Sequence, residues 1–239
     1  MSEVHIHTPD GDLMTYVATP TTPGPWPGVC VIHDALGMSQ DVRNQADWLA
    51  SAGYLVAAPD LFKGRTFLGC LRRMILDFMR GEGPLFDRVE GTRQWLAQHE
   101  QSTGKIGVIG FCFGGDFALL LAPRGGYDVA SVNYGTLPDN LETFLQGACP
   151  IVASYGALDR TLKGAAPKLE AALTTLGIDH DVKEYADTDH AFMNDHAEDD
   201  IPFLINVISV VFGGGAYQPV SAADSRKRIE AFFDKHLKA

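Results

Sequence analysis

The 239-residue chain has no Cys-x-x-Cys pair, no run of lysines and arginines, and no apolar stretch long enough to span a bilayer. Each absence removes a class of function. Its four cysteines, Cys30, Cys70, Cys112 and Cys149, stand far apart. That spacing argues against a zinc site or a disulfide framework and for reduced thiols in a cytosol. A formal net charge of -11 argues against a nucleic-acid partner, and an anionic substrate would need a local basic patch to overcome that field. The longest apolar stretch, Phe203 to Phe212, is interrupted by Asn206 and Ser209 and falls short of the roughly 20 residues a membrane helix requires. The N-terminus, Met1-Ser2-Glu3-Val4-His5, lacks the basic and apolar regions of an export signal. The expectation is a soluble cytoplasmic protein with no membrane or nucleic-acid partner.

What is present is an ordinary globular composition, 46% apolar and 21% charged. Val4 to Thr8 and Leu13 to Ala18 alternate as a hairpin around Pro9-Asp10-Gly11-Asp12. The proline-rich segment Thr19 to Pro27 interrupts regular structure. Apolar runs at Gly28 to His33, Tyr54 to Ala58, Lys105 to Ile109, Val129 to Tyr134 and Pro150 to Tyr155 read as buried strands, and Asp181 to Tyr185 as a last one. Between them fall helices capped by Ser39 and ended by Gly53, over Leu85 to His99, from Asp116, over Ala165 to Leu176, and over Asp224 to His236. Strands alternating with helices predict an α/β fold: a mostly parallel sheet covered on both faces, with an antiparallel N-terminal hairpin. No repeat or linker divides the chain, so a single domain over 1–239 is expected. It carries an irregular, partly helical excursion over about 61–84 and an apolar insertion over about 201–215.

The chain is organised around Gly110-Phe111-Cys112-Phe113-Gly114-Gly115, which joins an apolar strand to an apolar helix. Strand, tight turn and helix are the context in which G-x-S-x-G makes a nucleophile elbow, here with cysteine at the centre. A cysteine at a helix N-terminus is favoured as thiolate by the dipole and the free N–H groups. In such sheets ligands bind beyond the carboxyl ends of the strands, where Asp34, Cys112, Asp159 and His190 fall. Cys112, Asp159 and His190 follow the order nucleophile, acid, base. Cys112 would attack an acyl carbon, His190 hold it as thiolate and protonate the leaving group, and Asp159 fix the imidazole tautomer. The N–H groups of Phe113 and Ala35 would receive the oxyanion. Each member also has an ordinary structural reading: a small buried cysteine, a turn aspartate, a solvated loop histidine. The joint pattern favours catalysis. Asp187 and Asp189 adjoin His190 in sequence and are weaker candidates for the acid, and His33 reads as structural.

The elbow hexapeptide, Pro59-Asp60-Leu61-Phe62, Tyr155-Gly156-x-x-Asp159 and His190-Ala191-Phe192 resemble the signatures of the dienelactone hydrolase family over most of the chain. The resemblance implies an α/β-hydrolase fold and a cysteine hydrolase of small esters or lactones, without cofactor or metal. It implies that Asp34, at the position of a family glutamate, modulates the thiol. It also points to Phe192 and Asn194 beside the substrate, Asn194 replacing a family arginine that grips the substrate carboxylate. Arg65, Arg72, Arg73 or Arg80 could replace that charge, or simply form a solvated helix face. The segment 201–215, apolar nearly all round, reads as a core helix, a cap over the site or a subunit interface, so a monomer or a homodimer is expected. A thioesterase or small-ester esterase with the same residues is the alternative enzyme. A silent hydrolase-fold binding protein is the alternative outside catalysis.

Overall fold

A computed structural model describes residues 1–63, 76–77, 80–196 and 216–239. The expected helix over Leu68 to Met79, with Arg72 and Arg73, therefore lies almost wholly outside the described residues, as do Arg65, Cys70 and the 201–215 segment. The strands are β1 (Ser2–Thr8), β2 (Gly11–Ala18), β3 (Trp26–Ile32), β4 (Leu55–Pro59), β5 (Ser102–Phe111), β6 (Val129–Asn133), β7 (Ile151–Gly156) and β8 (His180–Tyr185). They form one sheet in the order β1-β2-β4-β3-β5-β6-β7-β8. The helices are α1 (Gln40–Ser51), α2 (Pro84–Gln98), α3 (Phe113–Leu121), the short α4 (Leu141–Phe144), α5 (Ala165–Leu176) and α6 (Pro219–Leu237). This is the α/β-hydrolase arrangement, a mostly parallel sheet with helices around it. Among the described residues no helix is long and apolar enough to cross a membrane.

The chain divides into two compact units, Met1–Val108 and Ile109–Ala239. In the first, β1 and β2 pair antiparallel with Ile6 opposite Leu13, β2 pairs antiparallel with β4, and β3 runs parallel to β4. The alternation read in β1 is real, with Ile6 and Thr8 turned inward. β3 and β4 are buried at every residue, as expected of parallel strands covered on both faces. Ser39 caps α1 through its hydroxyl, which accepts the Val42 N–H at 3.4 Å. Gly53, with φ at +97°, turns the chain into β4.

In the second unit β6, β7 and β8 pair in parallel register, Ala130 with Ile151 and Ile151 with His180. β6 and β7 are fully buried, whereas β8 ends the sheet and exposes Lys183 and Glu184. Two helices begin earlier than their sequence suggested. Residue Phe113 already opens α3, because the glycines after it carry no side chain that would resist the turn. α6 starts at Pro219, whose fixed φ suits a first helical residue. α6 is anchored by Arg228, which donates to the Asp181 carboxylate at 2.7 and 3.0 Å and to the Asp181 carbonyl at 2.9 Å.

Candidate active site

The second unit holds the elbow. Cys112 joins β5 to α3 with φ +53° and ψ −115°, a conformation that costs a non-glycine residue on the order of 1–3 kcal/mol. The surroundings hold it there. The Cys112 N–H donates to the Asn133 carbonyl at 3.1 Å, the Asp116 N–H donates to the Cys112 carbonyl at 3.0 Å, and the Asn133 amide donates to the Gly110 carbonyl at 3.1 Å. The turn is too tight for side chains on its flanks. A Cβ on Gly110 would lie 1.8 Å from the Gly114 carbonyl oxygen, and one on Gly115 would lie 2.5 Å from that of Asn133. The thiol of Cys112 is half-buried.

Asp159 comes from the turn after β7. This turn is laced to the histidine loop by Ala157 N–H to Tyr185 carbonyl and Leu158 N–H to Thr188 carbonyl bonds, both 2.9 Å. Gly156 permits the approach, because a Cβ there would sit 2.6 Å from the carbonyls of Thr188 and Asp189. The Asp159 carboxylate is engaged through both of its oxygens. One carboxylate oxygen receives the His190 Nδ1–H at 2.6 Å. The other receives the Thr161 N–H at 2.8 Å and hydroxyl at 2.6 Å. Burial would raise the carboxyl pKa, but these bonds and the imidazole outweigh it and hold the group below its ordinary range. Thr161 went unnoticed in the sequence. Its signal is the Asp-x-Thr spacing of an Asx turn.

His190 is drawn into the same unit. Its burial disfavours the imidazolium, yet the hydrogen bonds to Asp159 and to the Cys112 thiol, with the charges of both, push its pKa up to about 10. With Nδ1 committed to Asp159, Nε2 is the ring nitrogen left for the thiol. The ring is seated by neighbours that sequence reasoning missed. Tyr134 packs edge-on against it with centroids 5.2 Å apart, and the Tyr134 hydroxyl donates to the Asn194 side-chain oxygen. Both Tyr134 (φ +43°) and Ala191 (φ +61°) are left-handed. Cys112, Tyr134 and Ala191 thus all have positive φ in this small region, and nothing in Asn133-Tyr134-Gly135 announces that conformation.

The remaining candidates are placed as follows. Asp189 serves the loop, its carboxylate accepting the His190 backbone N–H at 2.8 Å, and Asp187 is exposed. Phe192 is wholly buried between Tyr134 and Tyr185, and Asn194 is buried under the Tyr134 hydroxyl. Both reach His190 through Tyr134. In the first unit, Asp34 is buried with its carboxylate accepting the Leu36 N–H at 2.8 Å, and Ala35 is half-buried. His33 is fully buried and structural. Its Nδ1–H donates to the Asp34 carbonyl at 2.7 Å, its Nε2 accepts the Leu61 N–H at 3.2 Å, and burial lowers its pKa. Arg80 is exposed. A cleft of 530 Å³ lies between residues 137–143, which enter α4, and α5, and none of Cys112, Asp159 and His190 lines it.

The family model for dienelactone hydrolases matches residues 13–237. The chain belongs to the dienelactone hydrolase family. A Yersinia pestis protein provisionally named carboxymethylenebutenolidase is 25% identical over 98% of this chain and 88% of its own length. Two solved structures share the fold. A dienelactone hydrolase-like promiscuous phosphotriesterase from metagenomic libraries is 20% identical with a TM-score of 0.81, covering 99% of this chain and 98% of its own. The dienelactone hydrolase of Anabaena variabilis is 19% identical with a TM-score of 0.71, covering 99% and 97%.

Proposed function

We propose that this member of the family is a cofactor-independent carboxylic ester hydrolase, opening a small ester or lactone through an acyl-thioenzyme on Cys112. The observation that carries the reading is Cys112 on its strained elbow, with His190 close enough for the thiol to raise its pKa and Asp159 at 2.6 Å from His190 Nδ1. The thiolate attacks the acyl carbon, and the carbonyl electrons move onto oxygen. The N–H of Phe113, in the first turn of α3, is one donor for that oxyanion, since the first N–H groups of a helix have no intrahelical acceptor. By the motif order of such hydrolases, the sequence assigns the second donor to the N–H of Ala35. When the tetrahedral species collapses, the C–O bond breaks and the proton on His190 Nε2 passes to the departing alkoxide. Nε2 then takes a proton from water, the resulting hydroxide attacks the thioester, and collapse returns the thiolate. Asp159 keeps the proton on Nδ1 throughout and balances the imidazolium. Asp34 modulates the thiol, as the family resemblance implies.

Hydrolysis of p-nitrophenyl acetate, p-nitrophenyl butyrate and cis-dienelactone by wild type and Cys112→Ala tests this. Turnover that the substitution abolishes is the expected result, and the ranking across the three separates lactonase from simple esterase. Absent turnover, together with failure of iodoacetamide to alkylate Cys112 near neutral pH, would favour a binding protein instead, because an activated thiolate reacts readily.

A further inference from the structure

One charged side chain beside the triad has no part in the reaction above. Asp116 stands in the first turn of α3, four residues after Cys112, and its own N–H closes that turn on the Cys112 carbonyl at 3.0 Å. The side chain is fixed: Oδ1 accepts both the Thr136 N–H at 2.5 Å and the Thr136 hydroxyl at 2.9 Å. Oδ2 has no partner among the described residues, and the side chain is only partly covered. Burial raises its pKa to about 6 against the Thr136 bonds and the His190 charge, so at pH 8 the group is an anion, whose charge also reaches the buried Tyr155 hydroxyl.

A helix N-terminus ordinarily welcomes anions, by its dipole and its free N–H groups. A carboxylate pinned within the first turn cancels much of that welcome. We propose that Asp116 is a specificity-determining residue that turns the site away from substrates carrying a carboxylate on the acyl side and toward uncharged acyl groups. Three further observations agree. Asn194 is neutral and buried beneath Tyr134. His190 is already neutralised by Asp159. Asp189 adds negative charge at the histidine loop. The inference rests on the ester-hydrolase reading and narrows its substrate class.

The pair p-nitrophenyl hexanoate and mono-p-nitrophenyl adipate tests it, since both present a six-carbon acyl chain and differ by one terminal carboxylate. Wild type should prefer the hexanoate in kcat/KM by about tenfold or more, the scale of one unscreened like charge near the reacting atoms. Asp116→Asn, which keeps an oxygen for Thr136, should shrink that ratio by about tenfold, and Asp116→Glu should preserve it. Raising salt to 0.5 M should narrow the ratio in wild type more than in Asp116→Asn. A ratio unchanged by Asp116→Asn, or a wild type that cleaves the adipate as fast as the hexanoate, overturns the assignment. Failure of the hydrolase reading looks different: neither ester is cleaved, or cleavage survives Cys112→Ala, and the inference then falls with it.

Discussion

At the scale of single residues, the imidazole of His190 is held in its charged form far above the pH at which a free histidine loses its proton. With a pKa of about 10, the imidazolium persists across the neutral range. The kcat/KM profile of a chromogenic ester should therefore have its basic limb near pH 10. Asp159→Asn should move that limb downward and lower the rate by roughly 10³–10⁴-fold, because an amide neither stabilises the cation nor holds the same tautomer. A limb left in place would mean that Asp159 serves only its turn. Asp159 and His190 were legible as a pair because each closes a strand of an α/β sheet. Thr161 and Tyr134 were not. A threonine two residues after an aspartate is common in turns, and a tyrosine between asparagine and glycine gives no sign of φ +43°.

At the scale of elements, the elbow and the Asp159 turn depend on contacts that admit only hydrogen. Gly110→Ala places a methyl 1.8 Å from a backbone oxygen, and no flexible side chain can yield there. It should destabilise the protein by more than about 4 kcal/mol or prevent folding, read by denaturant unfolding. Gly156→Ala meets backbone at 2.6 Å and should separate Asp159 from His190 before it unfolds the chain, seen as lost activity at retained circular dichroism. Arg228 is one of several tethers of the terminal helix, with Asp224 bonded to Lys183 and Tyr185 and Lys235 paired with Asp179. Arg228→Ala removes three bonds to Asp181 and should cost about 1–3 kcal/mol, as for charged hydrogen bonds of partial exposure. These elements were readable to differing depth. Buried strands print continuous apolar runs, so β3, β4, β6 and β7 were visible. The starts of α3 and α6 were not, since glycine and proline look like breaks until the turn around them is known. The four-residue α4 is too short to show a period.

At the scale of the whole molecule, the pH dependence of stability follows from the same histidine. Its folded pKa is raised above the ordinary 6.5, so its contribution is fully present below about pH 6.5 and is lost as pH rises through about 10. The Tm of wild type should fall over that window more than the Tm of His190→Gln, and parallel curves would deny the coupling. The fold class was legible because alternation of apolar strands with helices leaves few topologies, and the motif order then selected among them. The acidity of the chain was equally plain in its composition, whereas the place where that acidity bears on the reaction was not. It took the Thr136 bonds to show that Asp116 is fixed in the elbow helix.

That fixed carboxylate bears on the end of the reaction as well as its beginning. Every ester or lactone opened at neutral pH leaves behind a carboxylic acid that ionises. A newborn anion held next to Asp116 is repelled by it, so the free acid should inhibit feebly, and water rather than an accumulated product should govern turnover. The equilibrium is untouched, since a catalyst speeds both directions alike; what changes is the occupancy of the site by product, and butyrate should compete better against p-nitrophenyl butyrate in Asp116→Asn than in wild type.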